Sequence, residues 1–258
     1  MPSAVNQSPP DEVDGLRARL GFWLRNDASH LLWPARCLVC AEAGEEARDL
    51  CRACSRVLPW NHDACLRCAL PLPPPMDAST TDAPLVCGQC LRRPPPLQAV
   101  HAACLYDFPV DRLLPRFKFH QDLAAGRLLA RLLAEACAEA PRPQALVPVP
   151  LHRARLRRRG YDQALELARP LAQALDLPLR QRLLQRVRAT AAQSELSAAA
   201  RRRNLRGAFV VAPVVTLPAH VVLVDDVMTT GATLHAAARA LRRAGVARVD
   251  AWVCARVP

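Results

Sequence analysis

A chain of 258 residues, 51% of them apolar, is long enough for one ordinary domain with a smaller appendage and too hydrophobic to remain disordered. Its formal charge of +12 is unevenly placed: residues 151–206 hold fourteen arginines against Asp162, Glu166, Asp176 and Glu195, which is 14 − 4 = +10 of the total, and Lys118 is the one lysine. An anionic ligand is implied there, either phosphates on a small molecule or a nucleic-acid backbone.

The opening "MPSAVNQSPPDEVDG" lacks the basic and apolar regions of a signal peptide, and charges interrupt "LRARLGFWLRNDASHLLW". No secretory signal and no membrane span are expected, so a reducing, cytoplasmic location is the default. Leu16 to Trp33 has the spacing of an amphipathic helix. Residues 1–34 thus read as an N-terminal extension, 35–93 as a cysteine-rich unit, and 94–258 as an α/β domain, with the proline run at 94–96 stiffening the last boundary.

Four Cys-x2-Cys pairs fall in the second segment: Cys37 and Cys40, Cys51 and Cys54, Cys65 and Cys68, Cys87 and Cys90. Two residues between thiolates let both reach one ion, and two such knuckles complete a tetrahedral shell. Eight ligands suggest two closed, structural zinc sites that replace the core this segment cannot build. An iron–sulfur site and redox dithiols are the competing readings. Pairing of neighbouring knuckles is expected, 37/40 with 51/54 and 65/68 with 87/90, against a crossed arrangement. Cys104, Cys137 and Cys254 sit in apolar segments and read as core residues.

Beyond the boundary, strand and helix patterns alternate. Residues 99–108 read as a strand, 126–140 as a helix with a leucine face, and "ALVPVP" as a short strand. The arginine-rich Pro150 to Gly160 segment comes next. "YDQALELARPLAQAL" follows as a helix that Pro170 should kink or divide. "GAFVVA" and "HVVLVDD" give further strands, "ATLHAAARALRRAG" a helix, and "ARVDAWVCA" a last strand. The alternation implies a parallel sheet flanked by helices.

The most informative stretch is "VVLVDDVMTTGATL", Val221 to Leu234. A doubly buried strand ends in Asp225 and Asp226, where ligands of open parallel sheets bind. Thr229, Thr230, Gly231, Ala232 and Thr233 then turn into a helix, offering backbone N–H groups and hydroxyls to a phosphate. A Walker B strand also ends in acids, but needs a G-x-x-x-x-G-K-[ST] partner loop, and the single lysine follows Phe117.

This stretch resembles the 5-phosphoribosyl 1-pyrophosphate (PRPP) signature of type I phosphoribosyltransferases. The resemblance assigns Asp225 and Asp226 to the ribose hydroxyls and residues 229–233 to the 5-phosphate. The cysteine pairs, "FKFHQD", "VPVPLHRARLRRRGYDQ", "ATAAQSELSAAARRRNLRGAF" and the PRPP signature, in this order, are similar to the ComF/GntX family. That family has an N-terminal double zinc ribbon and a link to natural competence and the use of external DNA. The resemblance implies PRPP or a related sugar phosphate carried with Mg²⁺, a loop over Pro150 to Gly160 that receives pyrophosphate with two or three of Arg153, Arg155, Arg157, Arg158 and Arg159 at the site, Arg158 and Arg159 foremost, and a closing loop over 186–206 in which Thr190, Gln193, Arg201 and Asn204 match. Lys118 is expected to face the same pocket, because its compact ammonium does what a guanidinium cannot. The implied activity is pentosyl transfer; the alternative is a non-catalytic PRPP- or nucleotide-sensing module acting in DNA uptake, with single-stranded DNA or uptake proteins as partners. Asp162 departs from the family, which has asparagine there.

Overall fold

The computed structural model describes residues 35–45, 48–73, 85–188, 205, 207–213 and 216–258. The expected helix at 16–33 and the loop residues Thr190, Gln193, Arg201 and Asn204 lie outside them. The chain forms two compact units, Met1–Arg52 and Ala53–Pro258.

In the first, the Cys37 N–H donates to the Glu42 carbonyl at 2.8 Å, Ala41 takes a left-handed φ of 65°, and Arg36 bridges Ala43. This is a knuckle: the chain reverses around two cysteines so that both sulfurs face one point. The same device recurs in the second unit, where the Cys65 N–H donates to Leu70 at 2.8 Å, Ala69 has φ 53° and Ala64 bridges Pro71. Short helices, α1 (Arg52–Arg56) and α2 (Gly88–Arg92), carry the partner cysteines Cys54 and Cys90.

The remaining described elements are β1 (Val100–Leu105), α3 (Val110–His120), α4 (Leu123–Ala136), β2 (Ala145–Pro148), α5 (Arg153–Arg159), α6 (Gln163–Ala174), β3 (Leu184–Arg186), β4 (Phe209–Val211), β5 (His220–Met228), α7 (Ala232–Arg243) and β6 (Arg248–Arg256). Four strands make a parallel sheet in the order β1-β6-β5-β2, and β3 and β4 make a separate antiparallel pair. Central strands covered on both faces must be apolar throughout, and Val221 to Val224 are all fully buried. Alternate residues serve opposite faces: Val221, Leu223, Val249, Ala251 and Val253 pack with Ala237, Ala238 and Leu241 of α7, while Cys254 turns to α4 and lies 3.9 Å from the Leu129 carbonyl. The outer edge of β1 is closed by the segment after α1: Asn61 N–H reaches Ala103 at 3.1 Å, and Leu105 N–H reaches Pro59 at 2.8 Å. A covered edge has no free ladder to offer another chain.

Two expectations are corrected. Residues 153–159 form a helix rather than a loop, because the His152 ring nitrogen accepts the Ala154 N–H at 3.2 Å, Arg, Ala and Leu are strong helix formers, and Gly160 supplies the left-handed end. α6 runs unbroken through Pro170, its apolar face of Leu167, Ala168 and Leu171 being buried, so packing outweighs the lost backbone hydrogen bond.

Candidate functional site

β5 carries Asp225 and Asp226 to the carboxyl end of the sheet, and its neighbour β2 stops at Pro148, paired with Val224. The Val149 N–H still donates to the Val224 carbonyl at 3.0 Å, so the segment that follows β2 leaves the sheet beside the two acids. Asp226 is buried at 6% exposure and its carboxylate meets the Lys118 ammonium at 2.7 Å. Asp225 is partly buried; burial, then the neighbouring Asp226 charge, pushes its pKa up to about 8, with Lys118 pulling the other way. A pair of carboxylates with one fixed cation and one readily held proton suits a neutral polyhydroxyl partner better than a second free cation.

Lys118 is aimed by its neighbours. Phe117 is fully buried and lies edge-on to Tyr161 at 5.8 Å between ring centroids, and the Gln163 amide donates to the Lys118 carbonyl at 3.5 Å. Gly126 lets α4 come this close: a Cβ there would stand 2.5 Å from the Phe117 ring.

The phosphate-type loop follows within three residues. Thr229 and Thr230 are exposed, Gly231 takes φ 71°, and α7 begins at Ala232, so the turn runs directly into a helix N-terminus. Gly231 is required twice over, since its left-handed backbone disfavours a side chain and a Cβ would meet the Met228 methyl at 2.5 Å. Burial drives the His235 pKa down to about 4, with the Arg239 charge adding to it, so the imidazole behind this glycine is neutral at physiological pH.

Arginines gather on the other side. Arg158 is exposed on α5, and the Arg159 guanidinium lies 5.5 Å from the centre of the Phe119 ring. Burial lowers the Arg155 pKa and the charges of Arg159 and Arg158 lower it further, so these cations share one region. Sequence reasoning gave no role to Arg186, which is 9% exposed, stacks over Phe209 at 5.5 Å and feels the charges of Arg155 and Asp225. Its signal was faint: an arginine closing the short strand Leu184-Gln185-Arg186, one among the many arginines of this segment. Asp162, whose role the sequence left open, is the N-cap of α6: one oxygen accepts the Leu165 N–H and the other the Leu151 N–H, each at 3.3 Å. It therefore ties the post-β2 segment to the start of α6 with two acceptors, of which an asparagine would keep one.

The eight paired cysteines form two clusters, Cys37/Cys40/Cys51/Cys54 and Cys65/Cys68/Cys87/Cys90, each with all four sulfurs within 4.8 Å of one another. These are the neighbouring pairings. Zinc–sulfur bonds of about 2.3 Å in a tetrahedron put sulfurs about 3.8 Å apart, and Cys40 to Cys51 is 3.6 Å and Cys68 to Cys87 is 3.8 Å. Backbone donors prepare some sulfurs as thiolates: burial raises the Cys65 pKa, but N–H groups including that of Cys87, at 3.2 Å, outweigh it and bring it to about 7. Burial and the adjacent Cys65 charge push Cys68 up to about 11. Four thiols so close ionise together only around a cation, and the donor set suits zinc. Cys104, Cys137 and Cys254 are buried with raised pKa values, as inert core thiols should be.

Residues 28–91 match the family described as Double zinc ribbon domain, and residues 162–258 match that described as Phosphoribosyl transferase domain. The chain is 38% identical over 214 residues to DNA utilization protein YhgH of Salmonella typhi, covering 80% of this chain and 90% of that protein. It is 36% identical over 216 residues to the same-named protein of Shigella flexneri, with coverage of 80% and 90%. Against Competence protein F of Haemophilus influenzae it is 40% identical over 178 residues, 66% of this chain and 78% of that one. With two four-cysteine clusters ahead of a parallel sheet whose acids and small-residue turn sit at one carboxyl edge, this chain belongs to the ComF/GntX family of double-zinc-ribbon, phosphoribosyltransferase-domain proteins.

Proposed function

We propose that this protein binds PRPP, or a closely related pentose phosphate, at the carboxyl ends of β5 and β2, and serves the use of external DNA as its named relatives do. The observation that carries the reading is the juxtaposition of the Asp226–Lys118 pair with the Thr229–Thr233 turn on the same strand end. Asp225 and Asp226 accept hydrogen bonds from the ribose diol. The 5-phosphate takes the N–H groups and hydroxyls of residues 229–233, where the N-terminus of α7 adds a favourable dipole. Arg158 and Arg159, with Arg155 and Arg186, oppose the charge of a departing pyrophosphate; the family resemblance adds Arg201, which lies outside the described residues.

Asp225 and Asp226 are the residues that would hold Mg²⁺ arriving with PRPP, and the ion would supply positive charge against the phosphate oxygens. Zinc, held by the two cysteine clusters, supplies structure with no open coordination position. If transfer occurs, the chain's contribution is electrostatic and positional: an oxocarbenium-like centre develops between fixed acids and arginines.

The second reading is a sensor that binds PRPP without turnover and contacts DNA or uptake proteins. It is favoured by α5, whose residues are all at least partly exposed and whose last turn is Arg157, Arg158 and Arg159. A titration of PRPP with Mg²⁺ into wild type and Asp225→Asn/Asp226→Asn, with pyrophosphate release followed in the presence and absence of bases, separates the two. Release supports transfer, binding without release supports the sensor, and no binding by wild type rejects both.

A further inference from the structure

The last residue of β6 links the second cysteine cluster to the phosphate-type loop. Arg256 is 9% exposed, and β6 pairs it with Met228, the residue immediately before Thr229. Its Nε donates to the Cys68 carbonyl at 2.9 Å, and a terminal guanidinium nitrogen donates to the Met228 carbonyl at 3.3 Å. The same terminal nitrogen donates to the carbonyl of Val257, whose own N–H donates to Met228 at 3.0 Å. One planar fork therefore joins the backbone of a cluster ligand to the backbone that starts the loop.

Both ends of this connection are geometrically strict. Cys68 sits in the knuckle turned by Ala69 at φ 53°, so the direction of its carbonyl follows the arrangement of the four sulfurs. A Cβ on Gly231 would meet the Met228 methyl at 2.5 Å, so the Met228 side chain packs against the glycine of the loop. A lysine at this position has one point donor and cannot span two carbonyls in a plane.

We propose that Arg256 is a positioning residue through which the second cysteine cluster sets the conformation of the Thr229–Thr233 loop, so that anion binding at the loop depends on the metal state of that cluster. The consequence for anion binding rests on the PRPP reading above; the conformational coupling does not.

The test uses the full-length zinc-loaded protein and measures backbone amide exchange of residues 228–234 together with zinc per chain. Arg256→Gln is expected to retain two zincs per chain while exchange in the loop rises by about fivefold or more, with the centre of β5 unchanged. Cys90→Ser is expected to raise loop exchange similarly, and the double variant to add little to either, because both cut one connection. Unchanged loop exchange in Arg256→Gln overturns the proposal, as does full additivity in the double variant or loss of zinc from Arg256→Gln. Should Cys90→Ser fail to fold, Arg256→Lys replaces it, and exchange equal to wild type in that variant overturns the proposal. Calorimetry with PRPP and Mg²⁺ then tests the consequence, an affinity about tenfold weaker in Arg256→Gln. Wild type that binds no PRPP rejects the ligand assignment and leaves the exchange result standing.

Discussion

At the scale of single residues, Asp225 has the most to say about pH. Burial and Asp226 raise its pKa to about 8, so in the free protein it is protonated at neutral pH. A carboxylate that accepts from two sugar hydroxyls must lose that proton. The affinity for Mg²⁺–PRPP is therefore expected to rise about tenfold per pH unit up to pH 8 and then level off, with proton release visible by calorimetry in buffers of different ionisation enthalpy. The stability sign is opposite: an acid whose folded pKa exceeds its unfolded value favours folding less as pH rises from about 4 to 8. Asp225→Asn should accordingly raise Tm at pH 8.5 by about 2–4 °C and weaken PRPP binding by about 30-fold, a trade of binding against stability. Lys118→Met leaves the buried Asp226 carboxylate without its cation and should cost about 2 kcal/mol in a urea melt at pH 7.

At the scale of elements, the approach of α3 to α4 is what delivers Lys118. Gly126→Ala places a methyl within 2.5 Å of the Phe117 ring, so α3 must shift. A loss of about 1–3 kcal/mol is expected, with weaker PRPP binding as the distinguishing readout, since Lys118 adjoins Phe117. The start of α6 offers a cleaner contrast. Asp162 accepts two backbone N–H groups, one on each oxygen, and burial raises its pKa despite them. Asp162→Asn keeps one acceptor for the cap and loses the other, so it should cost about 0.5–1 kcal/mol, whereas Asp162→Ala loses both and should cost about 1–2 kcal/mol; thermal melts of the two variants decide it.

At the scale of the whole molecule, two chemistries are joined in one chain: thiol clusters suited to zinc, and a sheet end that we propose binds a sugar phosphate. Metal analysis is expected to return two zinc ions per chain, and a strong chelator to lower Tm in proportion to the zinc removed; iron, or less than one zinc, would contradict the assignment. Should the arginine face meet DNA, binding will fall steeply with salt and survive Asp225→Asn/Asp226→Asn. Among the described residues no helix is long and apolar enough to cross a membrane.

Much of this was written in the sequence because it depends on local chemistry. Cys-x2-Cys spacing brings two sulfurs to one point whether the pair turns a knuckle, as at Cys37 and Cys65, or opens a short helix, as at Cys51 and Cys87, and the buried run before Asp225 with the small turn after it makes a strand end facing a helix start. Two expectations misled: the proline in α6 read as a break because propensity weighs a segment without its neighbours, and α5 was expected as a loop from the family resemblance, while a buried apolar face holds α6 and a capping His152 with strong helix formers makes α5. Other facts had no signature in residue spacing, although the lone lysine had pointed Lys118 to this pocket. Lys118 meeting Asp226, Asp162 clasping Leu151 to α6, and Arg256 spanning Cys68 and Met228 join residues far apart in the chain. Spacing along the sequence specifies which donors and acceptors exist; only the parallel pairing of β5 with β2 and β6 decides which of them come within hydrogen-bonding distance.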